Sequence, residues 1–262
     1  MKVVLFCGGL GLRLRDVSED IPKPMMRVGH RPILWHVMKY YAHFGHRDFI
    51  LCLGYKSEVV KDYFLHYSEA VSNDFVLSGG GRELRLLNKD IEDWNITFLD
   101  TGYESSIGER LLAAREHLAG DEMFLANYSD GVSDLPLPGI IERFRGGNSV
   151  AAFLCVRPRL SYHVVTLGEG DRVETVLPAA ECGPLINGGY FVFRNTIFDY
   201  LNEGEDIVTD AFPRLIRKNL LLGYRHEGFW ASMDTFKDKQ ALDKMIARGD
   251  APWEIWKKRR PR

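Results

Sequence analysis

Gly8-Gly9-Leu10-Gly11-Leu12-Arg13-Leu14 follows the apolar run Val3-Val4-Leu5-Phe6 and precedes Pro22-Lys23-Pro24. A short apolar run that empties into glycines reads as a buried strand feeding a loop, the place where open α/β sheets hold their ligands. Glycines let backbone N–H groups close on phosphate oxygens, and Arg13 and Lys23 supply two cations for the charge that develops when a phosphoryl bond is exchanged. Two common nucleotide motifs fail here. Aligning Gly9 and Gly11 on the dinucleotide fingerprint puts Leu14 at its third glycine, and no Lys-Ser or Lys-Thr pair completes a P-loop. The loop therefore points to phosphoryl chemistry on a nucleoside triphosphate, with a glycine-rich turn carrying an incidental arginine as the alternative.

Outward from this loop, strand-length apolar runs alternate with helical periods. Val3 to Phe6, Asp48 to Leu53, Ile96 to Asp100, Met123 to Tyr128 and Val150 to Val156 read as buried strands, and Pro32 to Phe44, Glu58 to His66, Ile107 to His117 and Leu137 to Phe144 as helices. Repeated β-then-α units imply an α/β fold with a mostly parallel central sheet. Asp74 to Leu77 and Glu83 to Leu87, either side of Gly79-Gly80-Gly81, read as an inserted hairpin. Beyond Val156 come short strands, Val164 to Leu167, Arg172 to Leu177 and Tyr190 to Phe193, with helices near Thr196 to Leu201 and Thr209 to Lys218. We expect one domain over 1–262, with 1–156 mainly handling nucleotide and 157–262 mainly the acceptor.

Composition bounds the rest. The 262 residues are 45% hydrophobic, ample for a native core, and 34 basic against 36 acidic side chains leave a formal charge of -2. That balance provides no global field for nucleic acid or an anionic membrane, so phosphate binding must be local. The basic ending Lys257-Lys258-Arg259-Arg260-Pro261-Arg262 reads as a solvated tail. No run approaches a membrane span and no signal-peptide pattern opens the chain, so a cytoplasmic protein is expected. Cys7, Cys52, Cys155 and Cys182 lie too far apart for a metal knuckle or disulfide framework; the three within or beside apolar runs read as core thiols, while Cys182 stands in a polar stretch. His36, His43 and His46 read as surface or capping histidines.

The glycine-rich loop with Pro22-Lys23-Pro24-Met25 resembles the signature of the sugar-phosphate nucleotidyltransferases. Arg31 to Tyr41 with Leu53-Gly54-Tyr55-Lys56, then Asp130-Gly131-Val132-Ser133-Asp134, Ile186 to Phe193, and Phe229-Trp230 through Met233-Asp234-Thr235 are similar, in collinear order, to the glucose-1-phosphate cytidylyltransferase branch of that family. The resemblance implies a Rossmann-like nucleotidyltransferase fold, CTP as substrate, Mg²⁺ as cofactor and a homo-oligomer. It implies Asp130 and Asp234 as the metal ligands, since paired carboxylates offer Mg²⁺ hard oxygens while water and phosphate complete the shell. It makes Arg13 and Lys23 the catalytic cations, with Gly8, Gly9 and Gly11 cradling phosphates. Gly108 and Arg110 would approach the base, and Asn187, Tyr190 and Trp230 would face the acceptor.

The chain also departs from that pattern. Ile107 and Glu109 stand where the family usually has a threonine and a second glycine, which leaves UTP and dTTP as alternatives to CTP. Ala179 occupies the position of the lysine that contacts the acceptor's phosphate, and His163 stands where a small residue is usual. Neutral alanine cannot replace an ammonium. The acceptor is therefore glucose 1-phosphate held by rearranged contacts, or another phosphorylated or phosphonate metabolite met by Arg157, Arg159 or His163. A nucleotide-binding regulatory protein without turnover is the non-enzymatic alternative.

Overall fold

The computed structural model describes residues 1–9, 21–158, 163–179 and 184–257. β1 (Val3–Phe6) is buried throughout. Its side chains alternate between two cores, Val3 and Leu5 toward one and Val4 and Phe6 toward the other, so both faces of the sheet must be covered. A short ladder, β2 (Arg27–Val28) with β3 (Arg31–Pro32), leads into α1 (Ile33–His43). α1 buries nearly all of its circumference, as expected for a helix apolar on every side. Then come β4 (Asp48–Leu53), α2 (Ser57–Leu65), α3 (Glu69–Ser72), the hairpin β5 (Phe75–Ser78) and β6 (Glu83–Leu86), and β7 (Asn95–Asp100).

The chain continues through α4 (Ile107–Ala113), β8 (Met123–Asn127), β9 (Gly131–Ser133), α5 (Leu137–Arg145) and β10 (Ala151–Val156). A second exposed hairpin, β11 (His163–Leu167) and β12 (Val173–Pro178), precedes β13 (Ile186–Arg194). The described chain closes with α6 (Phe212–Arg217), β14 (Leu221–Arg225), β15 (Trp230–Ser232) and α7 (Phe236–Arg248). No helix among the described residues is long and apolar enough to cross a membrane.

Seven strands form the central sheet in the order β14-β10-β13-β8-β1-β4-β7. All neighbours run parallel except β13, which is antiparallel to both β8 and β10. The sheet is thus the mostly parallel one expected, and it draws strands from both halves of the sequence. α1, α2, α5 and α7 pack over the face shown by Val3 and Leu5, while α4, α6 and the 195–201 segment cover the other.

Three expected elements differ. The helix expected over Ile107 to His117 ends at Ala113, and Arg115–Leu118 continues it as a 3-10 turn. Thr196 to Leu201 falls in another 3-10 turn, Asn195–Asp199. Thr209 to Lys218 splits into a π turn, Ile207–Ala211, and α6, because Pro213 has no N–H for the helical ladder at that joint. His36 is not a surface histidine. It is 2% exposed, its Nε2 3.1 Å from the Val28 carbonyl, and the Trp253 indole N–H donates to its Nδ1. Cys7 and Cys52 are core thiols, whereas Cys182 lies outside the described residues.

Candidate active site

Lys23 begins a 3-10 turn and is flanked by two prolines. Pro22 and Pro24 fix φ on either side of it, so the lysine backbone is set before any ligand arrives. Its Nζ lies 2.6 Å from Asp130 Oδ2 and 2.8 Å from Asp234 Oδ1. Three groups from widely separated stretches thereby meet at one point beyond the carboxyl ends of β1 and β8.

Local folding explains how the acids arrive. Asn127 ends β8, and its Oδ1 accepts from the Ser129 N–H at 2.8 Å. Ser129 adopts φ 64, a left-handed conformation uncommon for a non-glycine residue, and its Oγ donates to the Phe6 carbonyl at 2.7 Å. This tight turn directs Asp130 out of the sheet toward Lys23. Beyond it, β9 pairs antiparallel with β15, and the ladder is extended by a bond from the Met233 N–H to the Asp130 carbonyl. That bond brings Asp234 beside Asp130. Ser232 Oγ donates to Asp234 Oδ2 at 2.7 Å, and the Thr235–Asp238 capping box starts α7 immediately afterwards. Sequence reasoning did not single out Asn127, Ser129 or Ser232; the left-handed turn has no residue signature, since serine is an ordinary choice elsewhere.

The electrostatics follow from the geometry. Burial pushes the Asp130 carboxyl above the usual carboxylate range, with the Lys23 ammonium opposing that shift. Burial also acts against the Lys23 ammonium, but the Asp130 and Asp234 carboxylates outweigh it and raise its pKa. Lys23 is consequently a firmly protonated cation.

Two carboxylates presenting oxygens to one cation make a hard-oxygen donor set. Mg²⁺ is commonly held by one or two protein carboxylates with water and phosphate oxygens completing its shell, so Asp130 and Asp234 fit such an ion. Among the described residues, no group of three or more His, Cys, Asp or Glu side chains forms a metal site.

The other expected site residues fall in several places. Arg13 and Gly11 lie outside the described residues. Gly8 and Gly9 follow β1, at the expected carboxyl edge. Arg110 is turned inward and is 2% exposed. Its Nη1 donates to the Leu53 carbonyl and Thr101 Oγ1, and its Nη2 to the Gly8 carbonyl. It clamps the ends of β1, β4 and β7 instead of presenting donors to a base. A Cβ on Gly8 would lie 2.0 Å from that guanidinium, so a larger residue there would displace the end of the Arg110 side chain from its bonds. Gly108 is likewise packed against protein, since a Cβ on it would meet the Glu205 carbonyl at 2.1 Å.

Of the residues expected to face the acceptor, Asn187 lies near the start of β13, its Oδ1 accepting from the Gly189 N–H and its Nδ2 3.3 Å from the Tyr128 hydroxyl. Trp230 is half-buried on β15 and donates to the Gly188 carbonyl at 2.8 Å. Tyr190 is turned into the core instead of facing an acceptor. It is 2% exposed, packs edge-on against Tyr40, and its hydroxyl donates to the Gly131 carbonyl. His163 is exposed at the base of the second hairpin, opposite Pro178, and the adjacent Ala179 is buried.

A family model for nucleotidyl transferases matches residues 2–241. The probable glucose-1-phosphate cytidylyltransferase of Bacillus subtilis is 36% identical over 258 residues, covering 98% of this chain and 100% of the relative. The glucose-1-phosphate cytidylyltransferase of Salmonella typhimurium shows the same identity and coverage. Among solved structures, HddC from Yersinia pseudotuberculosis has a TM-score of 0.66 at 19% identity, over 94% of this chain and 99% of that one. A UDP-glucose pyrophosphorylase complexed with UDP-glucose has a TM-score of 0.67 at 17% identity, over 95% of this chain and 98% of that one. The shared architecture is that of α/β enzymes of the Rossmann-like nucleotidyltransferase type. The chain belongs to the nucleotidyl transferase family.

Proposed function

We propose that the protein is a cytidylyltransferase that transfers CMP from CTP to a small phosphorylated acceptor and releases pyrophosphate. Glucose 1-phosphate is the first acceptor to test, because the full-length relatives that share 36% of its residues are named for that substrate. The observation that carries the reading is the meeting of Lys23, Asp130 and Asp234 at one point. A phosphate oxygen of the acceptor attacks the α-phosphorus of CTP in line, the bond from that phosphorus to the bridging oxygen breaks, and pyrophosphate departs with the electron pair. The acceptor phosphate is already a nucleophile, so the protein's task is alignment and charge compensation, with no covalent intermediate.

Asp130 and Asp234 would hold Mg²⁺, which supplies charge neutralisation at the phosphates when bound. By the resemblance, Lys23 would compensate charge at the α-phosphate, Arg13 would stabilise the departing pyrophosphate, and the glycines Gly8, Gly9 and Gly11 would let backbone approach the phosphates. Asn187, Trp230 and His163 border the acceptor. Arg110 and Gly108 act one layer further out, holding the loops that frame the nucleotide. Loss of one charge-stabilising donor at such a centre costs of the order of ~3 kcal/mol in barrier.

Ala179 is the reason to examine acceptors broadly. The resemblance places a lysine there, and a buried alanine leaves the acceptor phosphate to other cations. Pyrophosphate release should be measured with CTP, UTP and dTTP plus Mg²⁺ against a panel of sugar phosphates and phosphonates. We expect turnover with CTP and at least one acceptor. CTP binding without release for any acceptor would support the non-catalytic nucleotide-binding reading, and turnover only with UTP or dTTP would move the assignment to those nucleotides.

A further inference from the structure

Lys23 directs its ammonium at both acids, and its side chain is only 15% exposed. Its Nζ stands where a cation shared by Asp130 and Asp234 would stand, at hydrogen-bond distance from an oxygen of each. Without it, two partly buried carboxylates would face each other without the ammonium that now lies at hydrogen-bond distance from both, and low-dielectric surroundings make that loss costly.

We propose that Lys23 is a resident counter-ion of the acid pair, which competes with a divalent cation for the position between Asp130 and Asp234 and swings to the nucleotide's phosphates when that cation is bound. The proposal rests on the magnesium reading above and adds a reciprocal occupancy to it. The parts are built for such an exchange. Pro22 and Pro24 hold the lysine's main chain, while its four-carbon stem has the rotatable bonds needed to redirect the ammonium. The acids have anchors of their own that do not involve Lys23. Ser232 Oγ holds Asp234 Oδ2, and the Met233 N–H holds the Asp130 carbonyl. They can stay in place when the ammonium leaves. The free enzyme would then bind the metal weakly and take it chiefly together with the nucleotide, whose phosphates offer Lys23 a new partner.

The test is binding of Mg²⁺ by calorimetry at pH 8 for the wild type, K23M, K23R and D130N without nucleotide, repeated with CTP for the wild type and D130N, with thermal melts alongside. K23M should bind Mg²⁺ at least about tenfold more tightly than the wild type. K23R, which keeps the charge, should bind it no better than the wild type. Mg²⁺ should also raise the melting temperature of K23M by more than that of the wild type. Equal or weaker binding in a folded K23M, with D130N losing metal in the presence of CTP, would overturn the counter-ion role and leave the metal site standing. If D130N binds Mg²⁺ as the wild type does, alone and with CTP, the metal reading fails and the counter-ion role falls with it.

Discussion

Ser129 carries a conformational cost that its neighbours offset. A left-handed, non-glycine residue with no solvent exposure persists only where its surroundings over-determine it, and here Asn127 and the Phe6 carbonyl do so. S129A keeps the backbone demand and loses the bond to Phe6. We expect a loss of ~1–2 kcal/mol in a denaturant titration and a fall in kcat larger than any change in KM, because Asp130 is displaced. An unchanged kcat in a destabilised S129A would separate the turn from the chemistry. His36 makes a second residue-scale prediction. Burial holds its pKa down to about 4, whereas the unfolded chain titrates near ~6.5. Between those values the unfolded state binds more protons, so stability rises with pH there and is lost on acidification, by up to ~3 kcal/mol over the full shift. The denaturation midpoint should drop between pH 7 and pH 4.5, and the drop should be smaller in H36Q. Parallel pH profiles for the two proteins would assign the effect to other groups.

Strands and turns decide where these residues stand. Arg110 joins the ends of β1 and β4 to the loop after β7, and R110M would leave the Gly8 carbonyl without its buried donor and Thr101 Oγ1 without the guanidinium, while the Leu53 carbonyl keeps its bonds from Thr101. We expect ~3 kcal/mol of lost stability, read as a melting temperature lower by roughly 5–10 °C, with nucleotide affinity falling as the loops relax. A melting temperature within a degree of the wild type would contradict the clamp. The elements themselves were unequally legible. β1 and β4 were readable to the residue because nearly every position is apolar and buried. The hairpin at Gly79-Gly80-Gly81 was legible from its glycines, each with positive φ. β9, β14, β15 and α7 gave no comparable signal. β9 and β15 are three residues long, β14 is an edge strand interrupted by Gly223, and α7 buries only Leu242, so its apolar stripe is too thin to show as a period. Yet β9 and β15 are the ladder that brings the two acids together. Composition and periodicity therefore revealed the sheet, while the pairing of Asp130 with Asp234 was available only through resemblance.

At the scale of the molecule, the parallel strands end at one edge, and the site lies where β1 and β8 terminate side by side. β13, the reversed strand, carries residues of the second half back into the sheet between β8 and β10. That insertion places Asn187 opposite Cys155 of β10, and Trp230 on β15 bonds to the neighbouring Gly188 carbonyl, so both halves of the chain contribute to one sheet. A contrast also emerges at this scale: Lys23, Asp130 and Asp234 are brought together, while the lysine expected from the resemblance is a buried alanine beside an exposed hairpin that starts at His163. The proposed chemistry requires that trio to work as a unit. The most direct measurement is single-turnover pyrophosphate release from CTP and the best acceptor, with Mg²⁺ present, in the wild type, D130N and D234N. Each substitution should slow the chemical step by at least about 10²-fold in a protein that still folds. Wild-type rates in either folded variant would contradict the assignment of this centre to catalysis.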